Sequence, residues 1–270
     1  MIEFLQALIL GIIEGITEFL PISSTGHLLL SQELMNFRDS HEIFAVVIQV
    51  GAIAAVIWYY RKDLIAKTFG LLRKEKSAVN FWKILVLGTL PAGIIGLAFD
   101  KVSSAISVPL VIALALMIGG VVLWLVDNKP VHAKGDPVEL AHITPRQALL
   151  IGLGQCVAMV PGVSRSGATI VSGLAVKLNR PTATAFSFYL SIPVLVLASA
   201  YKLMKYSSDI PNISGGWTGI VIGLVAAFFT ALLAVSWLLR YIARHNFKPF
   251  AMYRIVVGIV ILGAVFLDIL

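Results

Sequence analysis

The sequence predicts an all-α integral membrane protein: six transmembrane helices plus two re-entrant helical hairpins in an inverted-topology repeat. Three observations predict this class. Apolar residues supply 59% of the chain and charged residues only 13%, about half the charged share of an ordinary soluble domain, and mean hydropathy is +0.93. Six apolar segments, near 43–60, 80–98, 105–126, 183–201, 217–239 and 249–268, approach the ~20 residues that cross ~30 Å of hydrocarbon. Two further stretches, 1–36 and 146–178, are apolar but broken midway by a proline and a Ser-(Ser/Arg)-(Thr/Ser)-Gly run. The lone cysteine, Cys156, excludes an internal disulfide. The first residues lack a basic region and a cleavage site, so they read as mature structure.

The elements follow in order. In 1–36 the arm after the break, Ser23 to Met35, would rise only roughly 20 Å as a helix, too short to span. A hairpin that dips into the membrane and returns is the better reading, and 146–178 has the same form. Three spans follow each hairpin. The net charge of +7 is a topology signal and gives no reason to expect a nucleic-acid partner. One side carries Arg61, Lys62, Lys67, Arg73, Lys74, Lys76 and Lys83, then Lys129, Lys134 and Arg146, then Lys177 and Arg180, then Arg240, Arg244 and Lys248. The other side has Arg38, Lys101, Lys202 and Lys205. The richer side is cytoplasmic by the positive-inside rule, which puts both termini and stretch 1–36 outside and stretch 146–178 inside.

A shift of 141 positions lays Gln6-Ala7-Leu8 on Gln147-Ala148-Leu149, Gly11 on Gly152, Glu14 on Gln155, and Ser23-Ser24-Thr25-Gly26 on Ser164-Arg165-Ser166-Gly167. Pro109 and Pro249 match at nearly the same shift, and Asp127 falls on Asp268. The single membrane domain, 1–270, therefore divides into halves, 1–127 and 146–270. Three crossings per half is odd, so the halves lie in opposite orientation. Such repeats commonly hold a polar site between broken helices near the midplane.

The breaks carry the chemistry. Glu14 and Glu18 are four residues apart on one helix face, where like charges repel and membrane burial is costly. A divalent cation, Mg²⁺ or Ca²⁺, would relieve both costs; protonated or water-exposed glutamates lining a cavity are the alternative. Pro21 interrupts the helix, and Ser23, Ser24, Thr25 and Gly26 offer hydroxyls and open backbone N–H groups for an anion, although a serine there can also simply cap a helix. His27, close by, is a candidate nucleophile or acid–base group. In the second break Arg165 is an always-charged fork suited to phosphate or to a structural pair with Glu14 or Glu18. Ser164, Ser166 and Thr169 add hydroxyls. Ser187 and Ser191 are expected to tune helix packing, with lining a cavity as the alternative, Arg254 to snorkel inward from the last span, with a structural partner as the alternative, and Trp58, Tyr59, Tyr60, Trp82, Trp124, Trp217, Trp237 and Tyr241 to mark the interfaces. His41, His132, His142 and His245 sit in or near loops without metal-ligand spacing.

The segment from Glu14 through Glu18-Phe19-Leu20-Pro21, Ser23-Ser24-Thr25-Gly26-His27, followed by Pro161-Gly162, Ser164-Arg165-Ser166 and Thr169, closely resembles the undecaprenyl-diphosphate phosphatase family of the bacitracin-resistance type. The likeness extends over essentially the whole chain in length, motif spacing and repeat. It implies hydrolysis of undecaprenyl diphosphate to the monophosphate carrier recycled for peptidoglycan synthesis, bacitracin resistance, a divalent-metal requirement, and a bacterial inner-membrane site open to the outer face. It also implies that Glu14 and Glu18 form the acidic motif, that Ser24 and His27 are candidate catalytic groups, and that Arg165 holds the diphosphate. The partners expected are a prenyl diphosphate lipid and the surrounding membrane lipid, with a homodimer compatible with the sequence. The rival reading is an inverted-repeat transporter or flippase of a prenyl phosphate lipid, since the predicted architecture is also that of alternating-access carriers.

Overall fold

The computed structural model describes residues 1–127 and 140–267, with the backbone alone over 97–105. Lys129, His132, Lys134, Asp268 and the Lys101 side chain lie outside the described residues.

The described chain is helical throughout. Helix α1 runs Ile2–Thr17 and α2 Ser24–Met35; then come α3 Ile43–Tyr59, α4 Arg61–Leu72, α5 Lys76–Ala105 and α6 Pro109–Asp127. Beyond the loop lie α7 Pro145–Gln155, α8 Arg165–Ala175, α9 Arg180–Tyr206, α10 Gly216–Ile242 and α11 Lys248–Phe266. Six helical segments are long and apolar enough to cross a membrane: Ser40–Tyr59, Lys76–Gly96, Pro109–Asp127, Arg180–Asn212, Gly216–Ile242 and Lys248–Phe266. These match the six predicted spans. The two interrupted stretches are pairs of shorter helices, α1 with α2 and α7 with α8, joined through 18–23 and 156–164.

The sequence reading missed one element. The basic connection after α3 folds as α4, opened by the i,i+4 ion pair of Asp63 with Lys67. It is pinned to the bundle where the Trp82 indole donates to the Lys67 carbonyl at 3.2 Å and the Tyr189 hydroxyl donates to Asp63. Its polar composition reads as a loop in hydropathy alone.

The packing is reciprocal between the halves. Helix α10 lies against α1 and α3, α5 lies against α7 and α9, α3 meets α9, and α6 meets α11. Small residues allow the close approaches: a Cβ on Gly11 would stand 2.8 Å from Gly223 Cα, and one on Gly152 would stand 3.0 Å from Gly88 Cα. In both cases the first arm of a broken stretch is seated on a glycine of a span from the other half. Apolar side chains in the bundle interior, among them Phe19, Phe186, Phe188 and Tyr189, are buried, while Leu114, Ile118, Val225, Phe229, Ile259 and Val260 are exposed on α6, α10 and α11. Apolar residues facing outward all round a bundle are what a hydrocarbon environment requires.

Candidate functional site

The two breaks meet. Pro21 lies in the turn that separates α1 from α2, and Ser23 then takes φ 72°, ψ 92° as the residue before α2. Ser164 takes φ 74°, ψ 117° in the same place before α8. A non-glycine residue at positive φ is uncommon, and persists only where its surroundings hold it. Both serines are held alike: Ser23 Oγ accepts from Gly26 N at 3.3 Å, and Ser164 Oγ from Gly167 N at 3.0 Å. The matched conformations start two helices whose first residues are Ser24 and Arg165, and helix N-termini favour anions.

A carboxylate joins the two tips. Arg165 Nη2 donates to Glu18 Oε1 at 2.8 Å, and Ser24 Oγ donates to Glu18 Oε2. Arg165 Nη1 donates to the Ser187 carbonyl at 3.0 Å, and the guanidinium lies 5.6 Å from the centroid of the Phe19 ring. Glu18 and Ser24 are each 5% exposed. In this setting the ion pair is weakly screened and its partners are fixed in orientation. Of the two pairings open to Arg165, the structure contains the one with Glu18.

A cavity of about 560 Å³ opens over these groups. Its floor includes Glu18, Ser23, Ser24, Thr25, Gln155 and Arg165, and its wall is formed by small and apolar residues of α5 and α9 such as Ala92, Gly93, Gly96, Val194 and Leu197. It reaches the end of the bundle that carries Glu42, Ser107 and Lys202. Ser164 also lines it. A polar floor with an apolar side wall suits an amphiphile with a charged head.

Other predicted residues lie behind this cavity. Glu14 is fully buried, interacts electrostatically with Glu18 and Arg165, and has no hydrogen-bond partner for either carboxylate oxygen. Ser166 donates to the Leu20 carbonyl at 2.7 Å, tying the second tip to the first. Thr169 bonds Ser187 Oγ at 2.6 Å and the Arg165 carbonyl at 2.9 Å. Gly26 leaves little room, since a Cβ there would stand 3.1 Å from Ile112 Cγ2. His27 points away from the cavity: its Nδ1 is 2.7 Å from the Ser23 carbonyl and its Nε2 is 2.7 Å from the Tyr253 hydroxyl, with the rings stacked.

Three residues were not singled out by sequence reasoning. Ser187, read as a packing residue, supplies the carbonyl that orients Arg165. Gln155, noted only as the repeat counterpart of Glu14, lines the cavity. Arg254, expected to snorkel, is instead 1% exposed. Its Nη1 donates to the Pro21 carbonyl and its Nη2 to those of Gly162 and Ala115, all at 3.2 Å, while Nε reaches the Leu116 carbonyl at 3.3 Å. The guanidinium turns inward because both breaks present bare carbonyls on that side, a feature invisible in a hydropathy profile.

No group of three or more His, Cys, Asp or Glu side chains that could hold a metal ion occurs among the described residues. The donors at hand are the two carboxylates and an amide oxygen. Both Glu14 oxygens and Gln155 Oε1 are buried without partners. Hard oxygen donors of this kind suit a divalent cation.

Comparison with known proteins bears on this arrangement. The family model described as bacitracin resistance protein BacA matches residues 7–260. A protein named undecaprenyl-diphosphatase from Acinetobacter baumannii is 45% identical over 264 residues, covering 97% of this chain and 96% of the relative. Undecaprenyl-diphosphatase 3 from Acinetobacter baylyi is 44% identical over 263 residues, covering 97% of each chain. An undecaprenyl-diphosphatase from Deinococcus deserti is 43% identical over 265 residues, covering 96% of this chain and 94% of that one.

Proposed function

This chain belongs to the bacitracin resistance protein BacA family, and we propose on that premise that it is an undecaprenyl-diphosphatase. It removes the terminal phosphate of undecaprenyl diphosphate, recycles the lipid carrier and so confers bacitracin resistance. The observation that carries the site assignment is the Ser24–Glu18–Arg165 chain, in which a hydroxyl and a guanidinium from opposite tips meet on one carboxylate.

The geometry supports a double displacement at phosphorus. Arg165 and the N-termini of α2 and α8 hold the diphosphate oxygens and stabilise the charge that develops on them. Ser24 Oγ attacks the terminal phosphorus and passes its proton to Glu18. The anhydride P–O bond breaks, undecaprenyl phosphate leaves, and Glu18 gives the proton up to the departing phosphate. Water then attacks the phosphoserine and passes a proton to Glu18, which returns it to Ser24 Oγ as inorganic phosphate departs. A divalent cation, Mg²⁺ or Ca²⁺, held by Glu14 and Glu18, would supply charge neutralisation to the phosphate oxygens. Serine is preferred to histidine as the nucleophile because Ser24 lines the cavity and His27 is committed to Ser23 and Tyr253. His27 then serves to hold the strained Ser23 backbone.

The reciprocal packing of α1 on α10 and α7 on α5, together with the matched serines, supports an inverted repeat whose broken stretches are re-entrant hairpins. With the basic connections inside, the cavity mouth at Glu42 and Lys202 faces outward in the bacterial inner membrane, and both termini are outside. The prenyl chain remains in the bilayer and reaches the head through the α5–α9 wall. The same architecture supports a lipid flippase as a second reading.

Release of inorganic phosphate from undecaprenyl diphosphate by the detergent-purified protein, with Mg²⁺ or Ca²⁺, separates the two readings. Hydrolysis that vanishes in Ser24→Ala and Glu18→Gln is expected. Binding of the lipid without phosphate release would favour the flippase.

A further inference from the structure

Nearly every buried polar side chain near the tips has its partner within the protein. The exceptions among the described residues are the Glu14 carboxylate, the amide of Gln155 and Nε of Arg165, and of these three residues Gln155 and Arg165 line the cavity. Gln155 closes helix α7, is 2% exposed and lines the cavity, yet neither Nε2 nor Oε1 has a hydrogen-bond partner. Arg165 Nε, in the same wall, is buried and unpaired as well. A buried amide left without partners is unfavourable and uncommon, and such a group is normally satisfied by a ligand or by ordered water. Apolar side chains of similar size would fit a purely structural position at lower cost.

Both residues line one cavity while these donor atoms are buried without partners, so an acceptor-rich ligand seated against them would supply what is missing. Glu18 is occupied by Ser24 and Arg165, and Glu14 stands outside the cavity lining. We infer that Gln155 is a binding residue for the diphosphate head, donating Nε2–H to a non-bridging phosphate oxygen beside Arg165 Nε. The inference rests on the phosphatase reading above and adds to it a residue from the second half. It also explains the divergence of the two tips. The position matching Glu14 must be neutral in the second half, because a carboxylate there would repel the phosphate that Arg165 attracts.

The test uses Gln155→Met, which keeps the volume and removes the donor, and Gln155→Glu, which keeps the shape and adds charge. Two readouts are taken on the full detergent-purified protein: KM and kcat for undecaprenyl diphosphate, and the rise in Tm produced by methylenediphosphonate, which cannot be hydrolysed. Loss of one hydrogen bond to a charged group corresponds to roughly a 10- to 100-fold rise in KM. That rise, with kcat changed much less, is expected for Gln155→Met. Its ligand-free Tm is expected to equal or exceed that of the wild type, because two unsatisfied atoms are removed, while the shift on adding methylenediphosphonate shrinks. Gln155→Glu is expected to lose the shift entirely at pH 8 and to regain part of it at pH 5. An unchanged KM and an unchanged shift in both variants would overturn the inference, as would a lower ligand-free Tm in Gln155→Met with wild-type KM. If wild type binds methylenediphosphonate through Gln155 but releases no phosphate, the phosphatase reading fails and the binding role of Gln155 stands.

Discussion

Arg165 and Glu18 stand 147 positions apart in sequence and 2.8 Å apart in space. The pair is the junction of the two halves: one residue comes from the first break and the other from the second. Glu18 is also bonded to Ser24, so the junction and the proposed nucleophile share a carboxylate. A charge pair this deeply buried is most sensitive to removal of one member, because the other is then left uncompensated. Arg165→Ala is expected to lower kcat/KM by about 10²–10³, the scale for losing one fixed donor to a developing oxyanion. Arg165→Lys is expected to recover little, since a lysine cannot bond Glu18 and the Ser187 carbonyl with one planar fork. Steady-state phosphate release from the two variants checks both expectations.

His27 and Tyr253 form a second unit, stacked and bonded at 2.7 Å. If His27 positions Ser23 rather than attacking phosphorus, His27→Gln retains measurable turnover. Tyr253→Phe then lowers kcat in the same sense, and the double variant loses less than the product of the two single losses. Complete loss in His27→Gln with full activity in Tyr253→Phe would point to a direct chemical role for the imidazole.

The four main-chain carbonyls around Arg254 come from both tips and from α6. Arg254→Met leaves the Pro21 and Gly162 carbonyls of the two tips without this donor in a buried setting, at about 1–3 kcal/mol for each group left without any partner. A clear fall in Tm in detergent is expected, and Arg254→Lys should restore only part of it. Differential scanning fluorimetry of the three proteins makes the comparison.

Between α2 and α3, Asp39 accepts from Phe44 N at 2.7 Å, Ala45 N at 2.9 Å and Gln32 Nε2 at 2.9 Å. Burial outweighs these bonds and pushes its carboxyl up to about 6. A folded pKa above the unfolded one means that the native state binds more protons between about pH 4 and pH 6, so stability falls as pH rises through that window. Asp39→Asn should flatten the Tm–pH profile there. A profile that keeps its slope in the variant would assign the pH dependence to another group.

Removing divalent cations with a chelator is expected to abolish phosphate release, and Glu14→Gln should raise the Mg²⁺ or Ca²⁺ concentration that gives half-maximal rate. An unaltered metal requirement in Glu14→Gln would place the cation elsewhere.

Much of this was legible in the sequence, for physical reasons. Hydropathy found the six spans because crossing hydrocarbon demands about twenty apolar residues, whatever their order. The proline-interrupted polar runs at Ser23 and Ser164 were visible because nothing else inside an apolar stretch tolerates them. Glu18 and Arg165 stood out for the same reason, and a pair of Arg165 with Glu14 or Glu18 was one reading of them, but which glutamate it takes depends on how α1 and α8 meet. Helix α4 went unassigned because a short segment this rich in charge does not register in a hydropathy profile. For Arg254 the structural-partner reading holds over snorkelling, a choice that depth along a span does not make because it says nothing about which face a side chain takes. Gln155 and Ser187 are ordinary residues by type, and only their surroundings give them roles.

The central claim is that Ser24 carries the phosphoryl group. Quenching the wild-type enzyme in acid during turnover of terminally ³²P-labelled undecaprenyl diphosphate, then mapping the labelled peptide, tests it directly. The account expects acid-stable label on Ser24, lost in Ser24→Ala. Acid-labile label that survives an alkaline quench and maps to His27, or inversion of configuration at phosphorus with no labelled enzyme, would contradict it.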